Sequence, residues 1–403
     1  MKNFVWQQKN WFIAVSLLCL LALSLAACGN TGSANRSSKP TSTAGAGASP
    51  LSTLSSTPMV KMDAQPCPEE VKDPAHWDPI IPTHRPDSRV ERVSCGTLLN
   101  NRSLQAVVTV RHAGGDRLLD VYVYTNITSA HPTQLFKLQG LNRGQARIST
   151  YNTVITAEVD LHSSLNKGQP PARLTLDLFR EYRGFDTAGT FVQVSFPGMF
   201  PDLTRWQAEA DQEQVNHGHQ PWKLDATQTA KRFAEQFLRA GGTTTLVSGG
   251  GRHDLDAHVN LAFPSPRGEG PPPHITMVTL SRLEGNAIGI WEVTAVTADW
   301  LFISSPQSGL TTRISSPVTV TGFGPEFEGQ IGVVWVLDHL YQKIGEAFAM
   351  APSSISPLTT FTVTFPYTSS FRPGAQEGIV ELLHAGGAES DYGAVLVKVL
   401  VNP

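Results

Sequence analysis

The strongest constraint on how this chain can fold is a period of two. Ile331, Val333, Trp335 and Leu337 recur at alternate positions with Val334 and Val336 between them, so an extended backbone sends the first set to one face and the second to the other. Shorter runs of the same kind fill the chain upstream: residues 104–110, 118–124, 134–138, 154–161, 174–182 and 190–196 read as strands, rich in Val, Thr, Leu and Tyr. Ala113-Gly114-Gly115-Asp116 and Asp186-Thr187-Ala188-Gly189 have the small, turn-prone residues of hairpin connections. Strands are also expected at 243–247, 257–263, 275–283, 288–296 and 301–303, with a Pro-Gly loop at 264–273. Helical spacing is rare. A polar connector helix is expected over 203–215. A second helix opens with Asp225 as N-cap and Gln228 three residues on, carries Ala226, Ala230, Phe233, Ala234, Phe237 and Leu238 on one face, and stops at Gly241-Gly242. The fold class that follows is mainly β with one small α+β unit.

The first sixty residues obey different rules. Lys2 and Lys9 precede an apolar stretch at 12–25 that is too short to span a bilayer comfortably, which takes about 20 residues. The stretch closes on Leu25-Ala26-Ala27-Cys28, and the whole resembles a bacterial lipoprotein signal. The resemblance implies cleavage after residue 27 and lipidation of Cys28 through a thioether to diacylglycerol. Two acyl chains, at about 0.8 kcal/mol per buried methylene, suffice for stable retention on the extracytoplasmic face of the cell membrane. Residues 28–60 are almost all Ser, Thr, Gly, Ala, Asn and Pro, too poor in apolar surface to order, and predict a tether that holds the body some 30 Å off the bilayer.

Only 16% of residues are charged and the formal net charge is -3, which disfavours a nucleic-acid partner. The chain has four cysteines. Cys19 leaves with the leader and Cys28 carries lipid, so Cys67 and Cys95 remain as an even pair outside the cytoplasm, expected to form a disulfide worth about 3 kcal/mol. A zinc site drawing on His76 and His84 is the alternative, but no C-x-x-C or H-x-x-H spacing supports it. The length beyond the tether predicts more than one domain: a β-rich domain at 64–200, a connector helix with a small α+β domain at 201–305, and a last domain at 311–403.

That last segment carries Ile314-Ser315-Ser316-Pro317, Val318-Thr319-Val320-Thr321-Gly322, Phe327-Glu328-Gly329, the strand at 331–337, Gly378-Ile379-Val380-Glu381-Leu382 and Asp391-Tyr392-Gly393. In order and spacing these resemble the Gmad2 domain of bacterial spore-germination proteins. The resemblance implies an immunoglobulin-like β-sandwich of about seven strands. No cysteine pair bridges its sheets, so Trp335 is expected to fill the core between them, with Phe327 buried and Glu326 and Glu328 exposed. The GerMN domain that accompanies Gmad2 in germination proteins is not evident upstream. In the first domain, Cys95-Gly96, Val107-Val108-Thr109-Val110, Val121-Tyr122-Val123-Tyr124, Glu181-Tyr182-Arg183 and Phe191 are similar to lipoprotein domains of the LppP/LprE type.

Chemistry is harder to find. No G-x-S-x-G, H-E-x-x-H, Walker or dinucleotide fingerprint occurs. The densest cluster is His253-Asp254-Leu255-Asp256-Ala257-His258, in which a strand would put Asp254, Asp256 and His258 on one side as a candidate metal site; a solvated strand face after Gly249-Gly250-Gly251 is the competing reading. His217 and His219 read as a helix end. Glu181 and Arg183 share a strand face and suggest a surface ion pair, while Trp206, Trp222, Trp291 and Trp300 read as packing. No cofactor is expected and no catalytic residue stands out. The leading expectation is a non-enzymatic, lipid-anchored envelope protein that binds another envelope protein or a polysaccharide. An exported metal-assisted hydrolase using Asp254, Asp256 and His258 is the alternative. A solute-binding lipoprotein is disfavoured, because strands and helices do not alternate as two α/β lobes require.

Overall fold

The computed structural model describes residues 66–81, 87–99, 103–185, 189–263, 274–284, 288–352, 358–369, 374–385 and 392–403. The leader, Cys28, the tether, the expected loop at 264–273 and most of the connection at 186–189 lie outside the described residues. The chain is mostly strand, as the period of two requires.

Two short helices, α1 (Glu69–Lys72) and α2 (Pro74–Trp77), come first; Asp73 caps α2 by accepting the Ala75 N–H at 2.9 Å. They drop Val71, Trp77 and Ile81 onto an antiparallel sheet of β1 (Ser88–Gly96), β2 (Gln105–His112), β3 (Leu119–Thr125) and β4 (Thr133–Leu141), in that order. The Cys67–Cys95 disulfide forms as expected and fastens the chain before α1 to the end of β1. A second antiparallel sheet of β5 (Gln145–Ile148), β6 (Val154–Glu158), β7 (Leu178–Phe185) and β8 (Thr190–Val194) meets the other face of the first through Val107, Val121, Val123, Leu141, Val154 and Tyr182. Strands β2 and β3 are therefore covered on both faces, which is why they read as nearly unbroken apolar runs.

Helix α3 (Arg205–Asn216) starts where the Thr204 hydroxyl accepts the Gln207 N–H. Helix α4 (Ala226–Arg232) starts where Asp225 accepts the Gln228 N–H at 3.0 Å, as the capping pattern predicts, and continues as a π turn over Phe233–Phe237. Its stripe of Ala226, Ala230, Phe233, Ala234 and Leu238 packs on an antiparallel run of β9 (Thr243–Gly249), β10 (Asp256–Ala262), β11 (Ile275–Ser281) and β12 (Glu292–Ala298). Next come β13 (Phe302–Ser305), β14 (Arg313–Ile314), β15 (Val318–Gly324), β16 (Gln330–Leu337), β17 (Lys343–Met350), β18 (Thr359–Phe365), β19 (Gln376–Ala385) and β20 (Tyr392–Val401). Strand β12 pairs with β20 at Val296 and Leu396, so one sheet runs β17-β16-β19-β20-β12-β11-β10-β9, with β14 added parallel to β20. A smaller sheet, β13-β15-β18, closes a sandwich over it: Val320, Phe361 and Phe365 meet Val334, Val336, Val380 and Val399.

Trp335 does not fill that sandwich. Gln330 opposes Met350 and Gly332 opposes Ala349, which leaves Ile331 as an extra, bulged residue in β16. One added residue reverses the facing of everything after it. Ile331, Val334 and Val336 therefore share the inter-sheet core, while Val333 and Trp335 turn to the outer face. There Trp335 is half-buried against the α4-side cluster, and its indole N–H donates to Glu346 at 3.0 Å. Phe327 is likewise not buried but 51% exposed. It precedes a two-residue turn at Glu328 (φ 52) and Gly329 (φ 80), whose bridge between Phe327 and Gln330 holds the ring at the tip.

Candidate functional site

The sequence-derived metal candidates are not brought together. Asp254 lies ahead of β10 and its carboxylate accepts the Gly251 N–H at 2.8 Å. Asp256 accepts the Ser281 hydroxyl at 2.7 Å from β11 on one flank, whereas His258 Nδ1 lies 3.0 Å from the Ser248 hydroxyl of β9 on the other. Strand β10 runs between these two neighbours, so its side chains are drawn apart, and among the described residues no group of three His, Cys, Asp or Glu side chains could hold a metal. The zinc alternative at the first domain loses its thiols to the Cys67–Cys95 bond, and His84 lies outside the described residues. His217 caps the end of α3, as expected, with Nδ1 2.8 Å from the Glu213 carbonyl. Trp291 and Trp300 are buried, and the cations of Arg147 and Arg232 stack on Trp206 and Trp222 at 4.4 and 4.5 Å, so all four tryptophans serve packing.

Glu181 corrects the expected surface ion pair. It is 3% exposed, accepts the Thr153 hydroxyl at 2.7 Å, and pairs with Arg205 of α3 at 2.8 Å rather than with Arg183, which lies over the Phe185 ring. Arg205 is the centre of a buried seam. Its guanidinium also reaches Glu284 at 3.4 Å and stacks on the rings of Tyr151 and Phe196 at 4.4 and 5.1 Å. The Thr150 hydroxyl lies 3.0 Å from both Glu284 and Glu209, and Glu209 pairs with Arg147 at 3.1 Å. Farther along, Glu377 of β19 accepts the Ser195 hydroxyl at 2.7 Å and the Phe196 N–H at 2.9 Å. Lys398 of β20 lies 3.4 Å from Glu377 and donates to the Gly198 and Leu203 carbonyls at 2.7 and 2.6 Å. Lys223 pairs with Asp202 and Asp211, and the Asp202 N–H donates to Glu292 at 3.2 Å. The stretch from Ser195 to Arg205 is thus fastened on one side to the β5–β8 sheet and on the other to the long sheet.

Burial sets the electrostatics. It pushes the Glu284 carboxyl up to about 7, with the Arg205 charge holding it down only in part. Burial, with the Asp202 charge adding to it, raises Glu292 well above the carboxylate range. Burial also raises Glu377, against the pull of Lys398, and lowers the Lys398 ammonium, against the pull of Glu377. The small gap between Phe179, Arg180, Glu181, Arg205 and Glu377 is too tight to admit a water molecule. Such a seam can hold segments in register and store protons. Sequence reasoning missed it because the partners of Arg205 and Lys398 come from distant parts of the chain, and no local pattern records which charges will meet.

No family model matches this sequence. A search of curated proteins likewise returned no match. Among solved structures, a C-terminally truncated trimeric ectodomain of the C. elegans fusion protein EFF-1 is similar over 75% of this chain and 68% of that one, at 10% identity and a TM-score of 0.16, a likeness too slight to assign a fold.

Proposed function

We propose that this chain is a lipid-anchored extracytoplasmic protein whose β-rich body is a binding or structural module of the cell envelope. The observation that carries the reading is the leader: Lys2 and Lys9, an apolar stretch, then Leu25-Ala26-Ala27-Cys28 and a Ser/Thr/Gly tether. The Cys67–Cys95 disulfide supports it, since such bonds persist in oxidising compartments. The resemblance of 311–403 to Gmad2 supports a place at the cell or spore envelope and a protein or polysaccharide partner. A body braced by buried ion pairs suits a module that must keep its shape at the end of a flexible tether.

Lipidation is tested by expressing the full chain with a labelled palmitate precursor. The wild type is expected to incorporate label and remain with membranes after alkaline washing; Cys28→Ser is expected to lose the label and appear in the soluble fraction, because both acyl chains go with the acceptor thiol. A Cys28→Ser chain that stays in washed membranes overturns the reading.

A further inference from the structure

We propose that Ser88 is an activated nucleophile which, with His112 and Asp120, transfers acyl groups from exposed esters, a chemical step beyond the anchored binding role. Three neighbouring strands assemble the group. Strands β1 and β2 pair Ser88 directly with His112, and β3 supplies Asp120. The Ser88 Oγ lies 2.7 Å from His112 Nδ1, and His112 Nε2 lies 3.0 Å from Asp120 Oδ2. This is the order nucleophile, base, orienting carboxylate, with the two imidazole nitrogens exchanged relative to the familiar serine-protease arrangement.

Asp120 fixes the base in a usable form. Its carboxylate accepts the Gly140 N–H at 2.9 Å, the Gln139 amide at 3.1 Å and the Tyr122 hydroxyl at 3.2 Å. Burial pushes the Asp120 carboxyl up, but hydrogen bonds from Gly140, His112 and Gln139 outweigh it and hold it below its ordinary value, so it stays ionised. An ionised Asp120 can only accept. In the neutral imidazole the proton is therefore on Nε2 and the Nδ1 lone pair is turned toward the Ser88 hydroxyl, the tautomer that a general base needs. His112 and Asp120 are 9% and 5% exposed, whereas Ser88 is half-buried at the first position of β1, an edge strand among the described residues. The Ala113 N–H donates to the carbonyl of neighbouring Asp87 at 3.2 Å, and Gly114 and Gly115, which follow it, are exposed. A half-buried serine on the edge strand of the described sheet suits an ester displayed on a polymer or surface better than a small molecule needing enclosure.

In the first step Ser88 Oγ adds to the ester carbonyl carbon while its proton passes to His112 Nδ1. The tetrahedral oxyanion collapses, the bond to the alcohol oxygen breaks, and that oxygen leaves with the proton from Nδ1. Water then attacks the acyl-Ser88 ester, giving its proton to Nδ1; the carboxylic acid departs and the proton returns to Ser88 Oγ. Ester and water are consumed, acid and alcohol are released, and the protein is unchanged. Sequence patterns gave no sign of this group, since Asp87-Ser88-Arg89 lacks the glycine-flanked turn of a hydrolase elbow and the three residues lie on three strands.

The full chain is treated with a fluorophosphonate probe and digested to locate the adduct. We expect one adduct on Ser88 in folded protein and none in protein unfolded in guanidinium. Ser88→Ala should lose the adduct while keeping wild-type thermal unfolding, and His112→Gln and Asp120→Asn should slow labelling by about 10²–10⁴-fold. Should either variant fail to fold, Ser88→Cys leaves the relay untouched. Its thiol should then alkylate with iodoacetamide at pH 7 faster than free cysteine, because a neighbouring imidazole favours the thiolate. Folded wild type that is unlabelled at Ser88, or a Ser88→Cys thiol no faster than free cysteine, overturns the proposal.

Discussion

Replacing Arg205 with Met should cost more at alkaline than at acidic pH. The guanidinium sits between Glu181 at 2.8 Å and Glu284 at 3.4 Å, and all three side chains are almost wholly buried. Methionine keeps much of the volume and the contact with Tyr151 and Phe196 but leaves two carboxyls facing one another without a cation. Removing one partner of a buried ion pair costs about 3–5 kcal/mol, because the charge left behind has lost its water and its counter-ion. The orphaned carboxyl can escape by taking a proton, and the cost of that follows from pH. Holding a carboxyl neutral against an unfolded value near 4.5 costs about 5 kcal/mol at pH 8 and under about 1 kcal/mol at pH 5. Glu284 is already raised to about 7 with Arg205 in place, so it is the group that takes the proton. Guanidinium unfolding followed by tryptophan fluorescence should give a loss of about 3–5 kcal/mol at pH 8 for Arg205→Met and about 1–2 kcal/mol at pH 5. A loss below about 1 kcal/mol at pH 8, or the same loss at both pH values, would refute the reasoning and mean that the seam is hydrated in solution.

Two further outcomes test neighbouring parts of the body. Burial raises Glu381 to about 7 against the partial pull of Arg239; a raised carboxyl leaves stability intact below the unfolded value near 4.5 and removes it as pH climbs through about 7. Glu381→Gln should therefore raise the melting temperature at pH 8, leave it nearly unchanged at pH 4.5, and flatten the decline between them; equal shifts at both pH values would contradict the assignment. Trp335→Ala should cost about 1–2 kcal/mol because the ring is half-buried on the outer face, whereas Phe361→Ala, in the closed core between the sheets, should cost about 3–5 kcal/mol. Calorimetry that reverses this order would return Trp335 to the sandwich interior.

The strands were legible wherever a single face or two faces had to be apolar. Leu118 to Tyr124 and the stretch around Val334 announce themselves because a strand between two layers has little solvent-facing surface; Asp120, the carboxylate in the first, is held by hydrogen bonds from Gly140, Gln139 and Tyr122. Strand β5, Gln145–Ile148, escaped notice: four residues with Gln and Arg among them carry too few alternations to count. The α4 cap was legible because it is local, with Asp225 and Gln228 three residues apart. Trp335 departs from its expected face for a physical reason rather than for want of pattern. Alternation gives the period of a strand but not its phase, and a bulge changes phase without disturbing composition.

The charged groups follow the same logic in three dimensions. Glu181 and Arg183 looked like a surface pair because two-residue spacing places them on one face, yet spacing is silent on what the opposite layer carries. Once α3 crosses that face and brings Arg205, a carboxylate that would have been solvated becomes one half of a buried bridge. Ser88, His112 and Asp120 show the same dependence: each is unremarkable in its own strand, and they become a relay because the β1–β2–β3 registers bring them within hydrogen-bonding distance. Isolated buried ion pairs are at best neutral for stability when set against apolar substitutes, so a seam of this extent argues for specificity of assembly over strength. An apolar interface would tolerate sliding; Glu377 accepting from the Ser195 hydroxyl and the Phe196 N–H while Lys398 donates to the Gly198 and Leu203 carbonyls permits one register of the Ser195–Arg205 stretch against β19 and β20.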